Sequence, residues 1–202
     1  MKLGVLLIAA VLPAGAEVFE WWQTTDAAIF SRGTVSAVIH TQFRMRNHFS
    51  DLFQGRFGPV VRAGMTRRLT LIAGYYFGES EVKRDDWQNN HRTFIGIERP
   101  VRTERGTLTL RSMAEHHFGG GAPQDRRFRG LLLWSHRAPL SPYWGTETFF
   151  DRHGFMSQRI QGGVRHGLTD RYSLDIGYLY DIRRFRAGEH RHVIQTAIRP
   201  RR

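Results

Sequence analysis

The sequence predicts an all-β protein, an up-and-down antiparallel transmembrane β-barrel of about 10 to 12 strands with short periplasmic turns and longer extracellular loops. Three observations support this fold class. Segments of strand length alternate apolar and polar residues, short and long connections alternate along the chain, and the N-terminus resembles an export signal. Alternation with a period of two is typical of β-strands because successive side chains point to opposite faces of a sheet.

The clearest predicted strand is YSLDIGYLYDI at 172–182, which carries Leu174 and Ile176 on one face and Asp175 and Asp181 on the other. Each predicted strand has about the ten residues that a tilted membrane strand requires. In chain order, the same alternation occurs in 34–46, 56–65, 69–78, 107–118 and 159–168, and less regularly in 91–99, 127–136, 143–150 and 192–199. A charged lumen beside an apolar, lipid-facing exterior explains both faces.

Segment 18–31 also has strand character and leaves the strand count open. The ten strands from 34 to 199 would begin and end on the short-turn side, with both ends in the periplasm. Adding 18–31 gives eleven strands, an odd number that is unusual for bacterial barrels. Either this segment pairs as two short strands, which gives twelve, or it threads the lumen or stays periplasmic.

The connections between these strands alternate in length. Short connections are predicted at 31–33, 66–68, 100–106, 137–142 and 167–171, and longer loops at 47–55, 79–90, 119–127, 152–158 and 183–192. Short turns on one rim and long loops on the other are typical of an outer-membrane barrel. Closure of the sheet also leaves no strand edge exposed to lipid.

The first sixteen residues, MKLGVLLIAAVLPAGA, predict a cleaved secretory signal peptide. Lys2 precedes an apolar run that is too short to span a bilayer, and small residues follow it up to Ala16. The domain organisation is therefore a signal peptide at 1–16 and a single barrel domain at 17–202. Cysteine is absent, which excludes disulfides, a thiol nucleophile and Cys-ligated metal sites.

The chain is strongly basic, with 30 Lys and Arg against 18 Asp and Glu and a net charge of +12. Export argues against nucleic acid as the partner, although a basic surface binds phosphate. Arginine also pairs with lipid phosphates. We therefore expect a monomer in the outer membrane of a Gram-negative bacterium, in contact with outer-membrane lipid, with lipopolysaccharide phosphates through Arg-rich loops, and with the outer-membrane assembly machinery.

Charged residues on the polar strand faces are predicted to meet in the lumen. This lumen charge network comprises Arg44, Arg62, Arg111, Glu115, Glu147, Arg159, Arg165 and Asp175. One interpretation is a structural plug, because buried charges require partners and a small barrel leaves little free bore. The other is a narrow, arginine-lined passage for small solutes that favours anions. Glu147 and Arg159, on neighbouring strands, are the pair we expect to be in contact.

Aromatic residues near strand ends predict an interfacial girdle formed by Trp134, Trp144, Tyr178 and Tyr180. Histidines at 115–117 and 189–192 do not provide three or four converging ligands, so we predict no metal site and no cofactor.

Catalysis is the alternative function, as an outer-membrane acyl hydrolase or transferase that uses Ser and His. Ser135 and His136 are adjacent on a strand and point to opposite faces, so they cannot form a dyad. His153 and Ser157 lie in a predicted loop. The sequence predicts that the protein is not an enzyme.

Several segments together resemble a known family. They are Trp21 and Trp22 after the signal, QFRMRN, GYYFG, SPYWGTETFF and SQRIQGGVRHGLTDRYSLDIGY. The most specific part is Pro142, Tyr143, Glu147 and Phe149, followed by Gln158, Arg159 and Gly163. This pattern is similar to a family of small bacterial outer-membrane β-barrel proteins known only as a domain of unknown function. The resemblance implies the barrel fold and the outer-membrane location, and it implies no reaction.

Overall fold

The computed structural model describes residues 18–47, 49–83, 85–119, 125–184 and 190–201. The predicted signal peptide at 1–16 lies outside these residues. The described residues form eleven strands, β1 (Val18–Arg32), β2 (Val35–Arg46), β3 (Asp51–Thr66), β4 (Leu69–Lys83), β5 (Asp86–Arg102), β6 (Gly106–Phe118), β7 (Asp125–His136), β8 (Leu140–Asp151), β9 (Gly154–Gly167), β10 (Tyr172–Arg183) and β11 (Arg191–Pro200). No helix among them has the length and apolarity needed to cross a membrane.

The strands form one closed barrel in which each strand pairs with its neighbours in sequence and β1 pairs with β11. This confirms the predicted all-β barrel, and its eleven strands fall within the expected range of about 10 to 12. Sequential pairs are antiparallel, but β1 and β11 are parallel, from Val18 opposite Arg191 to Thr25 opposite Ile198. The expectation of a purely antiparallel barrel is therefore wrong at this seam, because an odd number of alternating strands leaves the first and last pointing the same way.

The parallel seam also places the two ends of the barrel on opposite rims. We call the rim with connections 33–34, 67–68, 103–105, 137–139 and 168–171 the turn rim, and the opposite one the loop rim. β1 begins at the loop rim, whereas β11 ends at the turn rim. The expectation that the barrel begins and ends on the short-turn side is wrong because 18–31 is neither a broken strand nor a lumen segment. It belongs to one continuous strand with a bulge between Ala28 and Phe30.

Three predicted loops, 47–55, 79–90 and 152–158, are mostly strand. β4 continues to Lys83 and β5 starts at Asp86, with Asp85 in the left-handed region at φ 64°. Polar side chains hold this hairpin extension together. Ser80 Oγ lies 2.6 Å from Gln54 Nε2 and 2.9 Å from Asn90 Nδ2. The polarity that suggested a loop therefore supplies hydrogen bonds between strands.

Side chains at the seam explain why β1 joins β11. Glu20 pairs with Arg191 at 2.7 Å, and Trp21 Nε1 donates to Thr196 Oγ1 at 3.0 Å. Inside the barrel, Trp22 packs with Leu179 of β10 and Val193 of β11 in a buried cluster. Each seam strand therefore contributes an ion pair, a hydrogen bond and apolar burial to closure.

The barrel has an apolar exterior and a largely charged interior. On β10, Ile176 is 49% exposed, whereas Asp175 is 5% and Asp181 0% exposed. Large apolar side chains project outward from many strands, including Phe43, Phe57, Val61, Ile95, Ile97, Leu110, Phe128, Leu132, Trp144, Ile160 and Ile176. We call this set the outer belt. It reverses the usual distribution of a water-soluble protein, in which charged residues are almost never fully buried.

Replacing Trp22 with Ala should destabilise the barrel strongly because Trp22 fills the interior at the seam and is only 3% exposed. Trp→Ala in a packed interior costs roughly 3 to 5 kcal/mol of unfolding free energy. Denaturant titration of the refolded protein in detergent measures the loss. Trp144→Ala is the matched control, since Trp144 projects outward and is 62% exposed. Equal losses for the two variants would contradict the interior role of Trp22.

Candidate functional site

A continuous chain of ion pairs crosses six neighbouring strands inside the barrel. Its residues, taken from β5 to β10, are Arg92, Glu115, Arg129, Glu147, Arg159, Asp181 and Arg183. The successive N to O distances are 3.5, 3.0, 3.4, 3.7, 3.4 and 3.3 Å. Strand register produces the chain, since Glu147 and Asp181 both lie directly opposite Arg159. Alternating charge gives each buried carboxylate of the chain a neighbouring guanidinium group, so that none is alone in the interior.

Other members of the predicted lumen charge network form two separate groups nearer the turn rim. Arg62 and Arg111 both bind Glu98, at 3.2 and 2.9 Å. Arg165 binds Asp175 with two hydrogen bonds, of 2.7 and 2.8 Å. Bidentate pairing of this kind is the strong form of an arginine–carboxylate contact.

Sequence reasoning missed the ion pairs that involve β1. Glu20 binds Arg191 at 2.7 Å, and Asp26 Oδ1 lies 2.7 Å from His40 Nδ1. Glu20, Trp22, Thr24 and Asp26 occupy alternate positions on one face of β1. Their spacing of two residues indicates an inward-facing strand face. Because this face mixes charged, polar and aromatic residues, it does not stand out in the sequence.

Arg44 and Arg56 differ from the other interior arginines. Arg44 donates to Gln42 Oε1 at 3.0 Å and stacks on Trp22, with its Cζ 3.8 Å from the ring centroid. The Cζ of Arg56 lies 5.1 Å from the Tyr76 ring centroid, and its buried Nε has no hydrogen-bond partner among the described residues. Within the described ranges, no carboxylate forms an ion pair with either guanidinium group.

The interior contains one large cavity of about 1290 Å³ in the described part of the barrel. Its lining runs from turn-rim residues such as Gly33, Pro139 and Arg171 inward to a floor. We define the cavity floor as Trp22, Arg44, Arg56, Tyr76, Arg129, Glu147 and Arg159. The floor is therefore lined by four arginines and one carboxylate.

A filled layer lies between this floor and the loop rim. Glu115 and Asp181 of the ion-pair chain are 3% and 0% exposed there. Glu20, Arg92 and Val193 are also almost fully buried, at 2%, 9% and 0% exposed, and none of these five residues lines the cavity. We call these five residues the closing layer. Since their side chains are almost fully buried, the cavity ends at the floor instead of crossing the barrel.

The predicted girdle residues lie in two groups near opposite rims. Trp134 and Trp144 are direct cross-strand partners close to the turn rim. Tyr178 and Tyr180 lie towards the loop rim, where both rings contact His192 and the Tyr178 hydroxyl bonds His192 Nδ1. Tyr75 and His91 form a similar pair, with the hydroxyl 2.6 Å from Nδ1. The histidines of these aromatic pairs were not identified from the sequence.

The motif that carried the family resemblance has a packing explanation. Tyr143 lies opposite Gly163 in the β8–β9 ladder, and a Cβ on Gly163 or Gly177 would lie 2.7 or 2.3 Å from the Tyr143 hydroxyl. Two glycines therefore make room for one inward tyrosine. The second motif pair, Glu147 with Arg159, belongs to the ion-pair chain.

The Ser and His residues considered for catalysis lie in different environments. Ser135 lines the cavity, whereas His136 is exposed. Ser157 is 5% exposed, while His153 is exposed in the β8–β9 connection and its Nε2 accepts a hydrogen bond from Arg152. Within the described ranges, no group of three His, Asp or Glu residues has an arrangement that could hold a metal ion.

Fold and interior together define a closed β-barrel with an apolar exterior and a basic, ion-paired lumen. The chain belongs to the family described as "Protein of unknown function (DUF2490)", whose match covers residues 19–192. Comparison with curated proteins gives no match.

Replacing Asp181 with Asn should destabilise the barrel by roughly 3 to 5 kcal/mol, because Asp181 is fully buried and its loss leaves the partly buried Arg159 and Arg183 without this carboxylate. Denaturant unfolding in detergent measures the effect. Asp51→Asn is the control, since Asp51 pairs with the more exposed Arg46. The double variant Asp181→Asn with Arg159→Gln should lose less than the sum of the two single variants. Strict additivity would show that the pair is not coupled.

Proposed function

We propose that this chain is an outer-membrane β-barrel protein of a Gram-negative bacterium, with a structural role and a lumen that does not conduct. The single observation that supports the location is the outer belt around a charged interior. Contiguous apolar surface of this extent is rare on water-soluble monomers, whereas acyl chains solvate it at no cost. A closed barrel also pairs every strand edge, as hydrocarbon surroundings require.

The proposed orientation puts the turn rim in the periplasm and the loop rim outside the cell, following the usual arrangement of short turns. The cavity then opens towards the periplasm. The girdle residues Trp134 and Trp144 lie at the inner interface, and Tyr178 and Tyr180 at the outer one. Exposed arginines at the loop rim, such as Arg126 and Arg152, are available to lipid phosphates. Residues 185–189 of the Arg-rich segment 183–192 lie outside the described residues.

We favour a structural role over the arginine-lined passage because the closing layer is almost fully buried between the cavity floor and the loop rim. Ions would have to displace Asp181, Glu115 and Val193, all of which are almost fully buried. Removing one partner of such buried pairs is costly. Ser157 is buried whereas His153 is exposed, and this difference in environment supports a non-catalytic role.

A matched pair of substitutions tests the lipid environment. Ile176 near the middle of β10 and Leu168 at the turn rim are both 49% exposed. Ile176→Arg should cost roughly 2 to 4 kcal/mol in lipid vesicles because the charge meets the bilayer core, whereas Leu168→Arg near the interface should cost about 0 to 1. Unfolding titrations in vesicles measure both values. Equal effects, or recovery of the exported protein in the aqueous fraction after lysis, would contradict the membrane location.

The closed lumen predicts that the refolded protein carries no ionic current in planar bilayers. The physical reason is the buried closing layer, where an ion would have to lose its hydration and displace paired charges. A general porin under the same conditions provides the positive control for insertion, and heat-modifiable gel migration confirms that the barrel is folded. Steady single-channel steps from the folded protein would support the passage and contradict the structural role.

A further inference from the structure

The cavity floor contains more cationic groups than its own carboxylates can pair. Arg129 and Arg159 share Glu147, at 3.4 and 3.7 Å. Arg44 and Arg56 lie beside them without an ion-pair partner among the described carboxylates, and Arg56 Nε is buried with its hydrogen-bonding capacity unused. A guanidinium group inside a barrel without a neighbouring anion is unfavourable, and the floor carries more positive than negative charge.

We propose that the cavity floor binds the phosphate group of a small soluble phosphate compound, with Arg44 and Arg56 as its principal ligands. The two residues lie diagonally across the β2–β3 ladder, since Gln42 is opposite Arg56 and Arg44 is opposite Gln54. Two neighbouring guanidinium groups match the geometry of phosphate, which accepts bidentate hydrogen bonds from each. This proposal depends on the interior alone and is independent of the location of the barrel.

Aromatic rings fix the orientation of these arginines. The Cζ atoms of Arg44 and Arg159 lie 3.8 and 5.1 Å from the ring centroid of Trp22. The Cζ of Arg56 lies 5.1 Å from the ring centroid of Tyr76. Stacking occupies the face of a guanidinium group and leaves the N–H donors at its edge available. The rings therefore hold the cations in place before an anion arrives, which reduces the entropy lost on binding.

The cavity walls determine the class of ligand. Three carboxylates of the lining besides Glu147 have partners: Asp26 with His40, Glu98 with Arg62 and Arg111, and Asp175 with Arg165. The remaining one, Asp170, is exposed in the β9–β10 connection at the mouth of the cavity. The carboxylates that arginine neutralises therefore repel an entering anion weakly. A cavity of about 1290 Å³ exceeds the volume of inorganic phosphate, so the walls leave space for a substituent on the phosphate. Since the cavity extends to the turn rim, the ligand enters there from the aqueous phase.

Calorimetric titration of the detergent-solubilised full chain tests this assignment. Inorganic phosphate and glycerol phosphate are the probes, chloride is the monovalent control, and micelles containing phosphatidic acid test a lipid headgroup as the source. We expect both soluble phosphates to bind, the ester more tightly. Binding should fall about tenfold or more in Arg44→Gln and in Arg56→Gln, because each loses a charged hydrogen-bond donor. Arg56→Lys, which keeps the charge, should lose less.

The matched control is Arg67→Gln, which removes one charge from the exposed β3–β4 connection at the same rim without touching the cavity floor. Its affinity should equal that of the wild type. Should the floor variants not fold, phenylglyoxal labelling of the wild type followed by mass spectrometry gives the second measurement, with phosphate protecting Arg44 and Arg56 selectively. Absence of binding by both soluble phosphates, preference for phosphatidic acid, unchanged affinity in both Arg44→Gln and Arg56→Gln, or lack of selective protection would overturn the proposal.

Discussion

Closure of the sheet is the constraint on which the rest of this structure depends. An open strand edge exposes unpaired N–H and C=O groups, so the first and last strands must find each other. Eleven strands in simple sequence make that final pairing parallel, and evenly slanted parallel ladders are slightly less stable per residue than antiparallel ones. Glu20, Trp21 and Trp22 compensate by adding an ion pair, an indole hydrogen bond and a buried ring at the weakest junction.

In the closed barrel, every second residue of a strand points inward, and it must be either an apolar side chain that packs or a charged one that has a partner. Both kinds occur in this chain. Apolar clusters fill the barrel beside β1 and between β3 and β6, while alternating charges connect β5 to β10. The region near β2 and β3 departs from this balance, because two arginines there face aromatic rings in place of carboxylates. Charges in the lumen are therefore balanced by nearby partners in most places. The unbalanced arginines lie at the inner end of the cavity.

Much of this arrangement could be predicted from the sequence, because period-two alternation is strong wherever one face is wholly apolar. The contact between Glu147 and Arg159 follows from a short hairpin that places them in register. β1 was ambiguous because its outward Gln23 and Thr25 are as polar as its inward Thr24, so neither face stands out. Polar strand extensions at 79–90 likewise resemble loops. The distinct roles of Arg44 and Arg56 depend on which side chains lie across the lumen, and no local pattern encodes that.

The parallel seam also constrains the order of biogenesis. Strands β2 to β10 can pair sequentially, one hairpin after another, as the chain folds. Residues 18–25 of β1, however, cannot complete their pairing until residues 191–198 of β11 are in place. Until then the folding sheet has two unpaired edge strands, and their N–H and C=O groups must be protected by a partner outside this chain. Truncation of β11 would therefore leave a curved sheet that is open along its whole length. It would not give a slightly smaller barrel.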